Sequence, residues 1–181
     1  LATISSSLPL SAFSGLKLII SLSSTSAEVK RFSFNSFDKN LSSDLLLAEK
    51  HIFNFSDSIN SKSFVIRPTM IYGRHLHLGD QNINVLYRLM RKLPFLFLPF
   101  SNGFRQPIHI SQLSVFLQYC ILHGFSHHPT STIISLGGDT ILSYYDLLKQ
   151  IQLSLPSTDS ARSCKIILIP DSLFVLLVLP F

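Results

Sequence analysis

Glycine and tyrosine are almost missing from the first 72 residues: Gly15 is the only glycine, and Tyr72 is the first tyrosine. A glycine-rich phosphate loop needs several glycines between a strand and a helix, because only a backbone without Cβ atoms approaches a pyrophosphate closely. That scarcity excludes such a loop. "GGD" at Gly137–Asp139 is too late and too short to replace it, and reads as a turn. Cysteine is scarce as well. Cys120 and Cys164 form no CxxC pair, so both read as buried small hydrophobes of a reduced, cytoplasmic protein. Histidines are numerous, but "HLH" at His75–His77 and "HH" at His127–His128 have no nearby third ligand except Asp80 or Asp139. No metal site is expected.

Long hydrophobic runs are lacking too. The closing "SLFVLLVLPF" falls far short of the ~20 residues a spanning helix needs, and reads as a core helix. No membrane span is expected. No signal peptide is visible, since the first charge is Lys17 and the preceding segment is broken by serines and Pro9. The chain begins at Leu1 rather than Met, and both ends read as the edges of a fragment.

What is present is a chain of 181 residues, 46% hydrophobic and only 14% charged, enough for one domain with a real core. Its charge is unevenly placed. Between Lys62 and Arg105 lie seven basic residues, Lys62, Arg67, Arg74, Arg88, Arg91, Lys92 and Arg105, against the single acid Asp80. One basic region in an otherwise near-neutral chain points to an anionic ligand. Nucleic acid is not expected, because no basic helix interleaved with aromatics and no nucleic-acid motif occurs.

Strand-like and helix-like patterns alternate along the chain. "LKLIISLSS" (Leu16–Ser24) reads as a buried parallel strand with a polar end. Leu41, Leu45, Ala48, Ile52, Phe55 and Ile59 recur in steps of three and four, the mark of one helix face. "SFVIRP" is a strand stopped by Pro68. The next helix, "DQNINVLYRLMRKL", takes Asp80 as its cap and carries basic residues in its last turn. "FLFLPF" and "RQPIHI" are short strand-like pieces around the turn "SNG". Ser111 is placed to cap "QLSVFLQYCILHG", closed by Gly124. The strand "TIISLGG", a helix capped by Ser143, the strand "CKIILIP" and a helix begun by Asp171 complete the order. Residues 26–39 are the least patterned. This alternation is α/β with a central parallel sheet.

The order of motifs is itself informative. A strand ending "SST", a helix ending "AEK", then "RPTMIYG", "NI", "RQPIHISQL" and "LGGDTILSYYDLL" follow one another from about residue 16 to 170. This resembles the extended short-chain dehydrogenase/reductases, the NAD-dependent epimerase/dehydratase family that includes UDP-galactose 4-epimerase. The resemblance implies a fold consisting of the later strands of a Rossmann-type parallel sheet plus a small substrate-side lobe. The chain is then one partial domain over 1–181, with 1–70 ending the Rossmann sheet and 71–181 mainly the lobe with returning strands. The amino-terminal βαβ units are missing. It also implies roles. Ser24 hydrogen-bonds the reacting sugar oxygen. Pro68 and Thr69 line the nicotinamide side of the cofactor. Asn82 and Arg105 hold the nucleotide diphosphate, Tyr72 packs or touches substrate, and His109 is structural.

Two departures limit those roles. The glycine loop is absent. The family's Tyr-x-x-x-Lys acid/base pair is absent too: counting back from Glu49, Leu45 stands at the lysine position and Leu41 at the tyrosine position. The expected function is that of an NAD-dependent nucleotide-sugar epimerase/dehydratase-like protein. The alternative is a catalytically silent cofactor-binding or structural/interaction protein of the same superfamily. A complete member uses NAD or NADP, whereas this chain alone is expected to bind neither. Its expected partners are a nucleotide-sugar or another diphosphate, and a homodimer is an open possibility.

Overall fold

A computed structural model describes residues 13, 15–75, 78–79, 81–127 and 131–178. In chain order the elements are β1 (Leu18–Leu22), α1 (Ser26–Val29), a 3-10 turn (Lys30–Phe32), α2 (Ser36–Ser58), β2 (Lys62–Pro68), β3 (Ile71–Tyr72), β4 (Arg74–His75), β5 (Leu78–Gly79) and α3 (Gln81–Lys92). They continue as β6 (Phe95–Pro99), β7 (Phe104–Arg105), β8 (Ile108–His109), α4 (Ile110–His127), β9 (Thr132–Leu136), β10 (Leu142–Ser143), α5 (Tyr144–Ser154), a 3-10 turn (Ser160–Ser163), β11 (Lys165–Ile169) and α6 (Asp171–Val178). The fold is α/β with parallel strands. It divides into two compact units. One holds the chain up to Thr69 together with Ile110–Gly137, and the other holds Met70–His109 with the chain from Gly138 onward.

The first unit is a parallel sheet in the order β1-β2-β9. Leu18 pairs with Lys62 and Leu22 with Ile66, while Phe64 pairs with Thr132 and Pro68 with Leu136. Phe64, Val65 and Ile66 on the middle strand are fully buried, which is why this strand is apolar without alternation. α2 covers the face that carries Ser63, Val65 and Arg67. Ile19, Ile52 and Val65 meet there with Phe53, Phe55 and Ile59 around them. α4 packs along β1 and buries Leu113 and Cys120.

Hydrophobic spacing places the inner face of α2 about one residue off. Ala48 is exposed, and the buried positions are Ser42, Glu49, Ile52 and Ser56. Ser42, Glu49 and Ser56 stand seven residues apart, two helical turns each, and each has a partner. The Ser42 hydroxyl donates to the Ala27 carbonyl at 2.6 Å, and Ser56 Oγ bonds Ser63 Oγ on β2 at 3.0 Å. A search for apolar residues passes over such a line. The weakly patterned stretch 26–39 is also more ordered than expected. Asn35 accepts from the Phe37 amide at 2.9 Å and starts α2 at Ser36, five residues before Leu41.

Other boundaries differ. Ser111 lies inside α4, which begins at Ile110, so it is not the cap; the helix runs through Gly124 to His127. Asp80, expected as the cap of α3, lies outside the described residues. α6 does begin at Asp171, but Leu173, Val175, Leu176 and Leu177 are exposed, so the core-helix reading fails for the described part. Both cysteines are free and buried, and burial pushes each thiol up.

In the second unit β6 and β11 pair in parallel. Leu86 and Met90 of α3, Leu98 of β6, Leu147, Leu148 and Ile151 of α5, and Ile166 of β11 share one core. Ser143 caps α5 as expected, accepting from the Asp146 amide at 3.0 Å. α3 is tied down by Asp159. The Tyr87 hydroxyl donates to it at 2.7 Å, and Arg91 grips it with Nε at 3.2 Å and Nη2 at 2.8 Å. β3 pairs with β8 in parallel, β7 with β10 and β4 with β5 antiparallel.

Two glycines explain motifs in the same unit. Gly73, which ends "RPTMIYG", has φ +121°, a conformation that side chains resist. Gly138 is required by contact: a Cβ there would lie 2.0 Å from the Pro107 carbonyl oxygen. "RQPIHI" and "LGGD" are therefore in backbone contact, and Gln106 Nε2 donates to the Gly138 carbonyl at 2.8 Å. Gly138 is a close-approach glycine rather than only a turn residue. Gly138→Ala is expected to destabilise the chain by about 1–3 kcal/mol, the usual range for overpacking. Urea unfolding of both chains measures it, and an unchanged midpoint would refute the contact.

Candidate functional site

The residues expected to act on a sugar or cofactor fall in both units. In the first, β1 ends at Leu22 and its chain continues along the carboxyl end of β2. The Ser23 amide donates to the Ile66 carbonyl at 2.7 Å and the Thr25 amide to the Pro68 carbonyl at 3.2 Å, while the Thr69 amide donates to the Leu136 carbonyl at 2.9 Å. Backbone bonds thus hold Ser24, Pro68 and Thr69 at the carboxyl edge of the parallel sheet, the edge at which open α/β sheets bind ligands. Ser24 Oγ accepts from the Ser26 amide at 3.1 Å. That bond uses one lone pair and leaves the hydroxyl its donor capacity.

Beneath this edge lies an ionic cluster that sequence reasoning missed. Arg67 and Glu49 are each 3% exposed. Arg67 Nε meets Glu49 Oε1 at 2.8 Å and Nη2 meets Oε2 at 2.5 Å, a two-pronged pair. The Ser23 hydroxyl donates to Glu49 Oε1 at 2.5 Å, and Arg67 Nη1 also bonds the more exposed Glu28. Burial would raise the Glu49 carboxyl, but hydrogen bonds from Arg67 and Ser23 outweigh it and hold the carboxyl below its usual range. Hydrogen bonding to Glu49 raises Arg67 against the cost of burial. Glu49 therefore stays ionised and is a poor base for Ser23. One signal could have revealed the pair: Arg67 is the one charged residue between Ser63 and Pro68, and a buried charge needs a partner.

The basic region is correspondingly smaller than the charge count implies. Arg67 is spent inside the first unit and Arg91 on Asp159. Arg88, Lys92 and Arg105 remain exposed in the second unit. Asn82 is exposed in the first turn of α3, where amide groups and the helix dipole favour an anion. Arg105 lies on β7, opposite Leu142. Its guanidinium sits 5.4 Å from the centre of the Tyr144 ring, and Nη1 donates to the Phe104 carbonyl at 2.8 Å. Burial pushes the Tyr144 phenol up while Arg105 opposes it, so this tyrosine stays protonated at neutral pH and is no proton acceptor. Tyr72 is half-buried with its ring edge-on to His109, 5.1 Å between centres.

Leu41 and Leu45, which stand where the resemblance leads one to expect tyrosine and lysine, are half-buried on α2. Among the described residues, no group of three or more His, Cys, Asp or Glu could hold a metal, and no helix is long and apolar enough to cross a membrane.

No family model matches the sequence, and neither does any curated protein. Solved structures do. UDP-N-acetylglucosamine 4-epimerase from Bacillus cereus superposes with a TM-score of 0.60 at 19% identity, over 95% of this chain and 61% of that one. UDP-glucuronic acid 4-epimerase from Bacillus cereus, in complex with UDP-glucuronic acid and NAD, gives 0.62 at 16%, over 89% and 52%. dTDP-glucose 4,6-dehydratase from Bacillus anthracis, in complex with NAD, gives 0.57 at 14%, over 88% and 52%. The fold is thus that of part of the nucleotide-sugar epimerases and dehydratases, and the chain spans about half to three-fifths of their length.

The ionic cluster makes a pH-dependent prediction. Because folding lowers the Glu49 pKa, its stabilisation is fully present above the unfolded value of about 4.3 and is lost as pH falls through the lower folded value. Glu49→Gln should cost about 3 kcal/mol at pH 7, the low end for breaking a buried pair, since Arg67 keeps Glu28. It should also flatten the fall in stability below about pH 4. Urea midpoints from pH 3 to 7 test both; an unaltered acid limb would show that Glu49 is not the linked group.

Proposed function

We propose that the chain is the nucleotide-sugar-binding part of an NAD-dependent epimerase/dehydratase-like protein, one partial domain whose Rossmann sheet is continued by further polypeptide. The fold shared with such enzymes over 88–95% of the chain carries this reading. The collinear "SST", "RPTMIYG" and "RQPIHISQL" support it. In this reading Arg105 grips the diphosphate, with the Tyr144 ring beside its guanidinium. Asn82 offers an amide at the start of α3, and Tyr72 borders the sugar. Ser24 donates its hydroxyl to the reacting sugar oxygen, while Pro68 and Thr69 line the nicotinamide. NAD or NADP would supply hydride transfer. This chain contributes no glycine loop for the cofactor pyrophosphate. A cytoplasmic setting and a homodimer belong to the same reading; nucleic acid does not.

A second reading, a catalytically silent member that binds without turning over, is favoured by Leu41 and Leu45. Sugar oxidation needs a base to take the hydroxyl proton as hydride leaves. An alcohol such as Ser24 has no suitable pKa without a partner, and Glu49 bonds Ser23 instead.

Titration calorimetry with UDP tests the binding site. Arg105→Ala should weaken binding by about 1.5–3 kcal/mol, roughly tenfold to a hundredfold in Kd. Equal affinities of the two chains would remove Arg105 from the site. For turnover, the chain is fused to the amino-terminal half of a related epimerase and supplied with NAD and UDP-sugars. The expected result is only background NADH formation, because losing general acid–base catalysis costs about 10²–10⁴-fold. Robust turnover that survives Tyr72→Phe would reveal another base.

A further inference from the structure

We infer that the surface made by β6, Phe100 and α6 is a docking face for an anionic lipid bilayer, entered by apolar side chains and flanked by cations. The β6-β11 sheet shows which side chains are left over. Successive residues of a strand face opposite ways. Leu96 and Leu98 of β6 and Ile166 of β11 belong to the core shared with α3 and α5, so Phe95 and Phe97 face away from it. Phe100 follows, its amide donating to the Ile169 carbonyl at 3.0 Å. α6 starts beside it, with Asp171 accepting from the Ser101 amide at 3.0 Å, and it contacts β6. Phe95, Phe97, Phe100, Leu173, Val175, Leu176 and Leu177 are each 45–67% exposed. From Leu173 to Val178 the helix has no polar residue. A helix apolar all round is normally buried. Among the described residues, nothing supplies the cover that its composition calls for. An apolar surface of this extent with a polar rim marks an interaction site.

Charge selects the occupant. α6 has no cation of its own, and the fold supplies them from its neighbours. Lys165 stands opposite Phe95 in the sheet and shares its outward face. The Lys165 amide donates to the Pro94 carbonyl at 2.9 Å, which sets it close to the end of α3, where Lys92 stands. Both lysines are exposed. Asp171 is the one acid on α3, β6, β11 and α6 together, and Ser101 engages both of its oxygens. Acyl chains take up protruding Phe and Leu, while anionic headgroups take the cations beside them. A protein groove receives one side of a helix, whereas α6 is apolar on every side. A second copy fits poorly as well, because a twofold seam sets the same cations against each other. With eight residues α6 rests in the surface and does not cross it.

No nucleotide enters the test, so the inference can fail independently of the proposed binding role. The whole chain is sedimented with vesicles of phosphatidylcholine and phosphatidylglycerol, about three to one, and with vesicles of phosphatidylcholine alone. It should bind the mixed vesicles about tenfold more tightly or better, and high salt should shrink the difference. Lys165→Gln should weaken binding to the mixed vesicles about fivefold, the share of one cation near the surface. Leu176→Asp puts a charge at the most exposed position of α6. It should abolish binding while the circular dichroism of the chain stays the same. If that variant unfolds, Lys165→Gln and the salt dependence decide. Absence of binding to the mixed vesicles, or equal binding to both kinds, overturns the inference. So does binding that Lys165→Gln leaves unchanged, or binding that survives Leu176→Asp, which would leave the face to a protein partner. A lipid-free dimer that Leu176→Asp dissociates overturns it too, since a second copy would then be the cover.

Discussion

The Arg67–Glu49 pair is the contact around which the first unit is organised. Arg67 rises from the middle strand and Glu49 from the helix that covers it, each 3% exposed. Neither charge tolerates the interior alone. Their two-pronged bond therefore sets where α2 lies on the sheet. The same carboxylate takes the Ser23 hydroxyl and so reaches the polypeptide leaving β1. The position of the helix and of the chain leaving β1 are thus tied together by one ionic contact and its hydrogen bonds.

Much of this architecture was legible in the residues. The runs around Ile19, Val65, Ile134 and Ile167 became strands because continuous apolar segments bounded by polar residues and proline suit a covered parallel sheet. Ser143 capped its helix because its hydroxyl reaches the third amide. The α2 face was harder to see. Its inner line is Ser42, Glu49 and Ser56, and hydropathy treats polar residues as outward. Their partners Ala27, Arg67 and Ser63 all lie on other elements, which periodicity within one helix does not register. Gly124 failed as a helix stop because α4 continues through it to His127; a glycine weakens a helix without ending it.

The candidate site was legible as motifs and much less as chemistry. Charge counting treats Arg67, Arg91 and Arg105 alike. The fold separates them into an internal strut, a helix tether and an exposed guanidinium over Tyr144. Only the last is available to a ligand by its position. The two leucines where the resemblance expects tyrosine and lysine carry the opposite lesson. Leu41 and Leu45 are half-buried on α2 and continue its packing, so the helix forms without the tyrosine and lysine that the resemblance leads one to expect there.

The polar line on α2 has a consequence for uniqueness. A helix held to a sheet by hydrocarbon alone can roll or slip by a turn, because one oily contact substitutes for another at little cost. Ser42, Glu49 and Ser56 forbid such degeneracy. Each has a partner fixed in space, and any rolled arrangement strands a charge or a hydroxyl in the interior. The three residues act as a key cut for one lock, and the gap they open between the native alignment and its near neighbours exceeds what their bonds add to the native alignment itself.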